Sequence, residues 1–226
     1  MQDAFGTTAG RTTTDMVFDQ LHEEIVSLQL LPNSKISEVE VANRMGVSRQ
    51  PVRDAFNRLG NLELLVIRPQ RPTVVRGFSL EKIENARFVR LAVELEVIKK
   101  ACAVWDAGKA AQLDANLDQQ RATIKANRVE EFHALDYHFH RLICALSGHL
   151  MAFETVERCK QQIDRLCVLS LEHADEASAV LADHESIATA LKTGSVETTV
   201  NLARRHLGRL DQTISEIHKA HSEYFE

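Results

Sequence analysis

Four side chains that titrate or bind metals fall where a helical pattern calls for apolar ones. Over 129–147 the apolar stripe Phe132, Leu135, Phe139, Leu142, Ile143 and Leu146 takes in Asp136 and His140. Residues four apart share one helix face, with Cβ atoms about 5–6 Å apart, close enough to grip a single ion. Over 176–193, His184 aligns with Val180, Ile187, Ala188 and Leu191, and over 195–221, His206 lies between Leu202 and Leu210. A buried carboxylate and three buried imidazoles are costly unless paired. One divalent metal would satisfy all four. A hydrogen-bonded cluster of core histidines, or a water-filled cavity, would satisfy them without one. His133 shares the face of Asp136 and His140; His22, His138, His149, His173, His218 and His221 read as surface or packing residues.

Two further groups could do chemistry. Arg90 precedes Glu94 by four residues beside Val89, Val93 and Val97. That is either an i, i+4 salt bridge or a guanidinium aimed into a cavity, where its planar fork would clamp a carboxylate. The stretch Val47–Leu59 reads as an amphipathic helix with Ser48 as its cap and Pro51 in its first turn. Val52, Phe56 and Leu59 face a core, while Arg49, Arg53 and Asn57 recur on another side. Long donors so spaced suit DNA: Arg49 and Arg53 would enter the major groove, with Ser48 and Gln50 reaching phosphate or base edges at the amino end.

The elements that must position these groups divide the chain. Residues 1–10 show no periodicity and are expected to be a flexible arm. Val17, Leu21, Ile25 and Leu28 predict a first helix, and Ser37 caps a second that Gly46 closes with a turn into Val47. This is helix-turn-helix spacing. Leu64–Ile67 and Thr73–Val75 are β-rich runs around Arg68-Pro69-Gln70-Arg71-Pro72. They predict a hairpin wing whose Arg68, Arg71 and Arg76 lie close to a phosphate backbone or minor groove. Gly77-Phe78-Ser79 marks a boundary, after which six helical segments cover about 80–107, 109–127, 129–147, 150–173, 176–193 and 195–221. The expected architecture is mainly α: a winged helix-turn-helix over 11–77, then an all-α antiparallel bundle over 78–226.

The net charge of −5 would count against a nucleic-acid partner if it were spread evenly. It is not: residues 41–77 carry seven arginines and no lysine against Asp54 and Glu63, whereas residues 1–40 carry Arg11 and Lys35 against seven acids. A local arginine patch on an acidic chain fits selective contact with DNA. No apolar run approaches the roughly 18 residues of a membrane span, and the polar amino end has no signal core, so a cytoplasmic protein is expected. Cys102, Cys144, Cys159 and Cys167 lack CxxC spacing and read as inert thiols in helical patterns. A metal-dependent hydrolase would want a general base beside the metal, and none is evident by spacing.

Gly46-Val47-Ser48-Arg49-Gln50-Pro51-Val52-Arg53-Asp54-Ala55 is similar to the G-V-S-R-T-P-V-R-E-A of GntR-family transcription regulators, and nearly the whole chain resembles the FadR subfamily with a carboxy-terminal FCD domain. The six helical segments suit the shorter, VanR-like form. In metal-binding FCD domains an Asp-x-x-x-His pair is followed by two later histidines, which implies Asp136, His140, His184 and His206 as ligands of one divalent transition metal per subunit, zinc, nickel or manganese. Arg90-x-x-x-Glu94 resembles a motif whose arginine contacts the effector. The resemblance implies a homodimer on a near-palindromic operator, a small organic acid as effector, and a repressor released by it; a structural metal without effector is the alternative. Two positions depart from the family: its Glu-Gly-Leu is Leu62-Glu63-Leu64, and the wing's Asn-Arg-Gly is Gln70-Arg71-Pro72.

Overall fold

The computed structural model describes residues 11–170 and 174–226, omitting the side chains of 129, 130, 162, 164, 167–170, 174–176, 210, 212 and 213. The arm expected over 1–10, the end of the helix predicted for 150–173 with His173, and the Cys167 side chain lie outside the described residues. The chain forms two compact units, one of residues up to Phe78 together with Glu223–Glu226, the other Ser79–Ser222.

In the first unit, α1 (Thr13–Val26) begins with a capping box: Thr12 Oγ1 accepts the Asp15 N–H at 3.1 Å, and the Asp15 carboxylate accepts the Thr12 N–H at 3.2 Å. β1 (Lys35–Ile36) follows, then α2 (Glu38–Met45), which Ser37 caps through the Val39 N–H and Gly46 closes at φ 65°. The left-handed turn at Gly46 costs a glycine little and starts α3 (Arg49–Asn61). Val17, Leu21 and Ile25 of α1 pack with Val52, Phe56 and Leu59 of α3, each at most 2% exposed. Full burial of such side chains contributes about 1.5–3 kcal/mol each, which fixes how α3 presents its other face. β2 (Leu65–Val66) and β3 (Thr73–Val75) form the wing.

Three local features differ from expectation. The wing is a three-stranded antiparallel sheet in the order β1-β3-β2, with Lys35 opposite Val74, rather than a hairpin alone. Ser48 occupies the cap position of α3 but makes no capping hydrogen bond. Third, the two family departures are accommodated without glycine: Glu63, at the glycine position, itself takes the left-handed conformation after α3 (φ 59°), and in the wing Gln70 takes it (φ 57°).

The second unit comprises α4 (Leu80–Val104), α5 (Ala107–Lys125), α6 (Val129–Leu146), α7 (Leu150–Ser170), α8 (Ala174–Thr193), α9 (Val196–Gly208) and α10 (Leu210–Ala220), with α4 to α9 contributing to its main core. Asn127, Gly148 and Gly194 turn the chain at positive φ between helices. The last predicted segment, 195–221, is two helices, so the described residues hold seven rather than six. At Arg209 the backbone keeps helical dihedrals, which is why the periodicity runs through, but its N–H bonds the His206 carbonyl three residues back and its guanidinium is held by Asp183 of α8.

Candidate metal centre and nucleic-acid interface

Asp136 and His140 come from α6, His184 from α8 and His206 from α9, and one donor atom from each lies within 4.8 Å of the other three. The Nε2 atoms of His184 and His206 are 3.3 Å apart and those of His206 and His140 3.4 Å. Asp136 Oδ1 lies 3.4 Å from His184 Nε2 and 3.7 Å from His140 Nε2. A tetrahedral metal with bonds of about 2.0–2.1 Å sets its donors about 3.3 Å apart. The four residues could therefore hold a metal with small adjustments, and the three-nitrogen, one-oxygen donor set suits a borderline transition ion. Phe139 stacks on His184 at 3.9 Å and closes one side. His133, though on the same face of α6, is not in this group.

Neighbouring residues decide which nitrogen of each ring is available. Gln120 of α5 donates its Nε2 to Asn116 Oδ1 at 2.6 Å, so its Oε1 faces His184 Nδ1 at 2.9 Å and accepts a proton there. His184 Nε2 is thus left with its lone pair. His140 Nδ1 lies 2.6 Å from Glu94 Oε2, and Arg90 Nη2, which can only donate, is 3.2 Å from His140 Nε2, so the neutral ring also presents a lone pair at Nε2. His206 Nδ1 is buried without a hydrogen-bond partner, with Asp183 Oδ2 3.7 Å away. Three Nε2 atoms converging on one carboxylate oxygen, two with their protons fixed on the far nitrogen, form a set of donors facing a common centre.

Burial pushes His184 well below its ordinary pKa, with the neighbouring His206 and His140 adding to the fall, and burial lowers His206 as well. Burial would lower His140 too, but the Glu94 carboxylate, with Asp136 close by, outweighs it and holds this ring above its usual value. Asp136, despite burial, is kept well below the carboxylate range, chiefly by Lys160 of α7, whose Nζ is 2.7 Å from Oδ2. The two Asp136 oxygens have different partners, Oδ1 turned to the histidines and Oδ2 to Lys160. Arg90 is buried, with its Nε 2.5 Å from Glu94 Oε1. The i, i+4 salt bridge that the sequence offers is thus formed, and it is buried beside His140. A cavity of about 10 Å³ adjoins His140 and His206, lined also by Glu94, Ile143 and Cys144. Burial lifts the Cys144 thiol to about 12, an inert group.

In the first unit, α3 turns Arg49 and Arg53 outward, their side chains 59% and 51% exposed. Glu38 at the start of α2 lies 3.4 Å from Arg49 Nη2 and 3.3 Å from Arg53 Nη2, which holds the two guanidinium groups on one side of the helix. Gln50 Nε2 bonds Asp54 Oδ1 at 3.0 Å, and Ser48 begins the helix. On the wing, Arg71 is exposed and joins Lys35, Arg68 and Arg76 around an open groove of about 460 Å³.

The sequence profile described as "Bacterial regulatory proteins, gntR family" matches residues 13–75, and the FCD domain profile matches residues 86–209. The chain belongs to the GntR family of bacterial regulatory proteins. It is a DNA-binding GntR/FCD transcription regulator. It is 32% identical over 209 residues to the HTH-type transcriptional repressor RspR of Escherichia coli K12, with 92% of each protein covered. Over 179 residues it is 26% identical to the gluconate operon transcriptional repressor of Bacillus subtilis, with 77% of this chain and 73% of that protein covered. The fold is similar to a solved GntR regulator from Rhodococcus sp. RHA1, with TM-score 0.70, 22% identity, and 89% and 97% of the two chains covered. These relatives are transcription regulators rather than enzymes, which removes the hydrolase alternative. No helix among the described residues is long and apolar enough to cross a membrane.

Sequence reasoning did not single out Gln120, Lys160 or Asp183. Each reads as an ordinary polar position, and each acts on a residue far away in sequence, Gln120 on His184 across 64 positions.

Proposed function

We propose that this GntR-family regulator is a repressor that holds one divalent transition metal, zinc, nickel or manganese, on Asp136, His140, His184 and His206, and that a small organic acid bound at that metal alters its hold on DNA. The observation that carries the reading is the convergence of three Nε2 atoms and one carboxylate oxygen with neighbouring Nε2 atoms 3.3–3.4 Å apart. A metal-free hydrogen-bonded cluster is the poorer account, because it would place the His206 proton on Nε2 and leave the buried Nδ1 without a partner. With a metal on Nε2, that proton moves to Nδ1 and faces Asp183. Arg90 Nη2, 3.2 Å from the metal-facing nitrogen of His140, is placed to take a carboxylate oxygen of the acid. Repression follows the names of the two relatives, and an acid effector is consistent with the gluconate operon regulator among them.

The cavity beside His140 and His206 has the volume of about one water. An acid approaching the metal from that side must part the helices, which supplies the second arrangement that a ligand-driven switch requires. The same small cavity favours a second reading, a metal that only stabilises the bundle. Output would pass through a homodimer on a near-palindromic operator, with Arg49 and Arg53 of each copy in the major groove, Ser48 and Gln50 at phosphate or base edges, and Arg71 at the backbone.

The test is selection from randomised duplex DNA by the full chain and its variants, with and without added small carboxylates. Arg49→Ala and Arg53→Ala should abolish specific binding. His206→Ala should lose metal and any response to acids while retaining DNA binding. Normal selection by both arginine variants would overturn the DNA assignment. Metal binding with no acid altering DNA affinity would support the structural-metal reading instead.

A further inference from the structure

We propose that the Glu226 carboxylate is a built-in competitor for DNA phosphate, held at the edge of the wing's basic groove so that a duplex must displace it to engage Arg76. The proposal rests on the reading of the wing as a contact to the DNA backbone. All the residues concerned lie in the first unit, to which Glu223–Glu226 belong. The groove is lined by Lys35 of β1, Arg68 and Arg71 between β2 and β3, and Arg76 just after β3. Glu226 is the acidic side chain among its described lining residues, with Oε1 3.8 Å from Arg76 Nη1. Lys35, Arg68 and Arg71 are exposed, and among the described residues no acidic side chain pairs with them. Four cations thus face one carboxylate, a surplus that suits a run of phosphates.

The main chain that carries Glu226 is firmly placed. The Glu226 N–H donates to the Phe78 carbonyl at 2.8 Å and the Phe78 N–H to the Tyr224 carbonyl at 2.7 Å, which makes a parallel bridge between Phe78 and Phe225. Asn33 Nδ2 donates to the Glu223 carbonyl at 2.6 Å, and the rings of Phe78 and Phe225 meet at 5.3 Å. At Gly77 a Cβ would stand 2.9 Å from the Tyr224 carbonyl oxygen, so the close approach needs glycine. The carboxylate itself is held loosely: 3.8 Å is longer than a hydrogen bond, and the side chain is 41% exposed. A fixed backbone keeps the local concentration of this anion at Arg76 high, while the weak pair lets it be displaced. A phosphate can take two hydrogen bonds from one guanidinium, which a carboxylate at this distance does not. The competition therefore lowers the affinity for any duplex, whatever its sequence, by removing one electrostatic contact.

Fluorescence anisotropy of the full chain on a duplex of random sequence, repeated across a series of salt concentrations, tests this. Glu226→Gln should bind about two- to eightfold more tightly near about 0.1 M salt, and its log–log salt slope should steepen by about 0.9 per chain, one added phosphate contact. In an Arg76→Ala background the same substitution should change nothing, because the cation it competes for is gone. An unchanged slope in Glu226→Gln would overturn the proposal. So would an equal gain in the Arg76→Ala background, which would mark a general effect of charge. Arg71→Ala separates this from the reading beneath it. If Arg71→Ala flattens the slope while Glu226→Gln does nothing, the competitor fails and the wing contact stands; if Arg71→Ala and Arg76→Ala both keep the parent slope, the wing contact fails and the competitor with it.

Discussion

Replacing Gln120 by leucine should weaken metal binding without touching a metal ligand. Gln120 and His184 are both 0% exposed, and Gln120 Oε1 is the acceptor 2.9 Å from His184 Nδ1. Leucine fills similar space but accepts nothing, so the imidazole loses the partner that fixes its proton on Nδ1 and its lone pair on Nε2. Loss of such an outer partner costs about 10–100-fold in metal affinity, equivalent to about 1.4–2.7 kcal/mol. The metal-free protein should also lose about 1–3 kcal/mol of stability, the cost of a buried donor without an acceptor. Gln120→Glu separates the two effects: it keeps an acceptor toward His184 but removes the donor to Asn116 Oδ1, so stability should fall while zinc affinity stays near that of the parent. Chelator competition with zinc at neutral pH, alongside urea unfolding of the metal-free forms, reads both quantities. If Gln120→Leu, shown to be folded, binds zinc as tightly as the parent, the reasoning about ring orientation is wrong.

Three other predictions rest on different parts of the molecule. Lys160→Met leaves Asp136 Oδ2 without its cation in a buried setting, and the metal-free protein should lose about 3–5 kcal/mol; zinc should restore part of this, as thermal melts with and without metal would show. Glu63→Gly should stabilise the first unit by about 1 kcal/mol in denaturant unfolding, because glycine takes the left-handed conformation at φ 59° without the Cβ penalty. For pH, His140 is held above its ordinary value of 6.5 by Glu94 and Asp136 against the effect of burial. Its contribution to metal-free stability is present below 6.5 and is lost as pH rises through the elevated value. Metal needs the unprotonated Nε2, so zinc affinity should climb with pH through the same window and release a proton on binding; a pH-independent affinity there would contradict the assignment.

The candidate metal donors were legible because helices of period 3.6 force a side chain's face, and Asp136, His140, His184 and His206 stand out as polar members of apolar stripes. The recognition helix was legible for the same reason, Val52, Phe56 and Leu59 inward and Arg49 and Arg53 outward. What escaped was set by distant partners or by backbone alone. β1 has two residues, too few for alternation to register. Gln120, Lys160 and Asp183 owe their roles to rings on other helices. The division at Arg209 preserves helical dihedrals and so leaves the apolar repeat intact. The Phe78–Phe225 bridge joins residues at opposite ends of the second unit through main-chain atoms, which side-chain patterns cannot report.

The central claim is most directly tested by native mass spectrometry with elemental analysis on the full chain, alongside His206→Ala. The account predicts one divalent transition metal per chain in the parent and its loss in the variant. A correctly folded parent that carries no such metal and takes up none when zinc, nickel or manganese is added would contradict it.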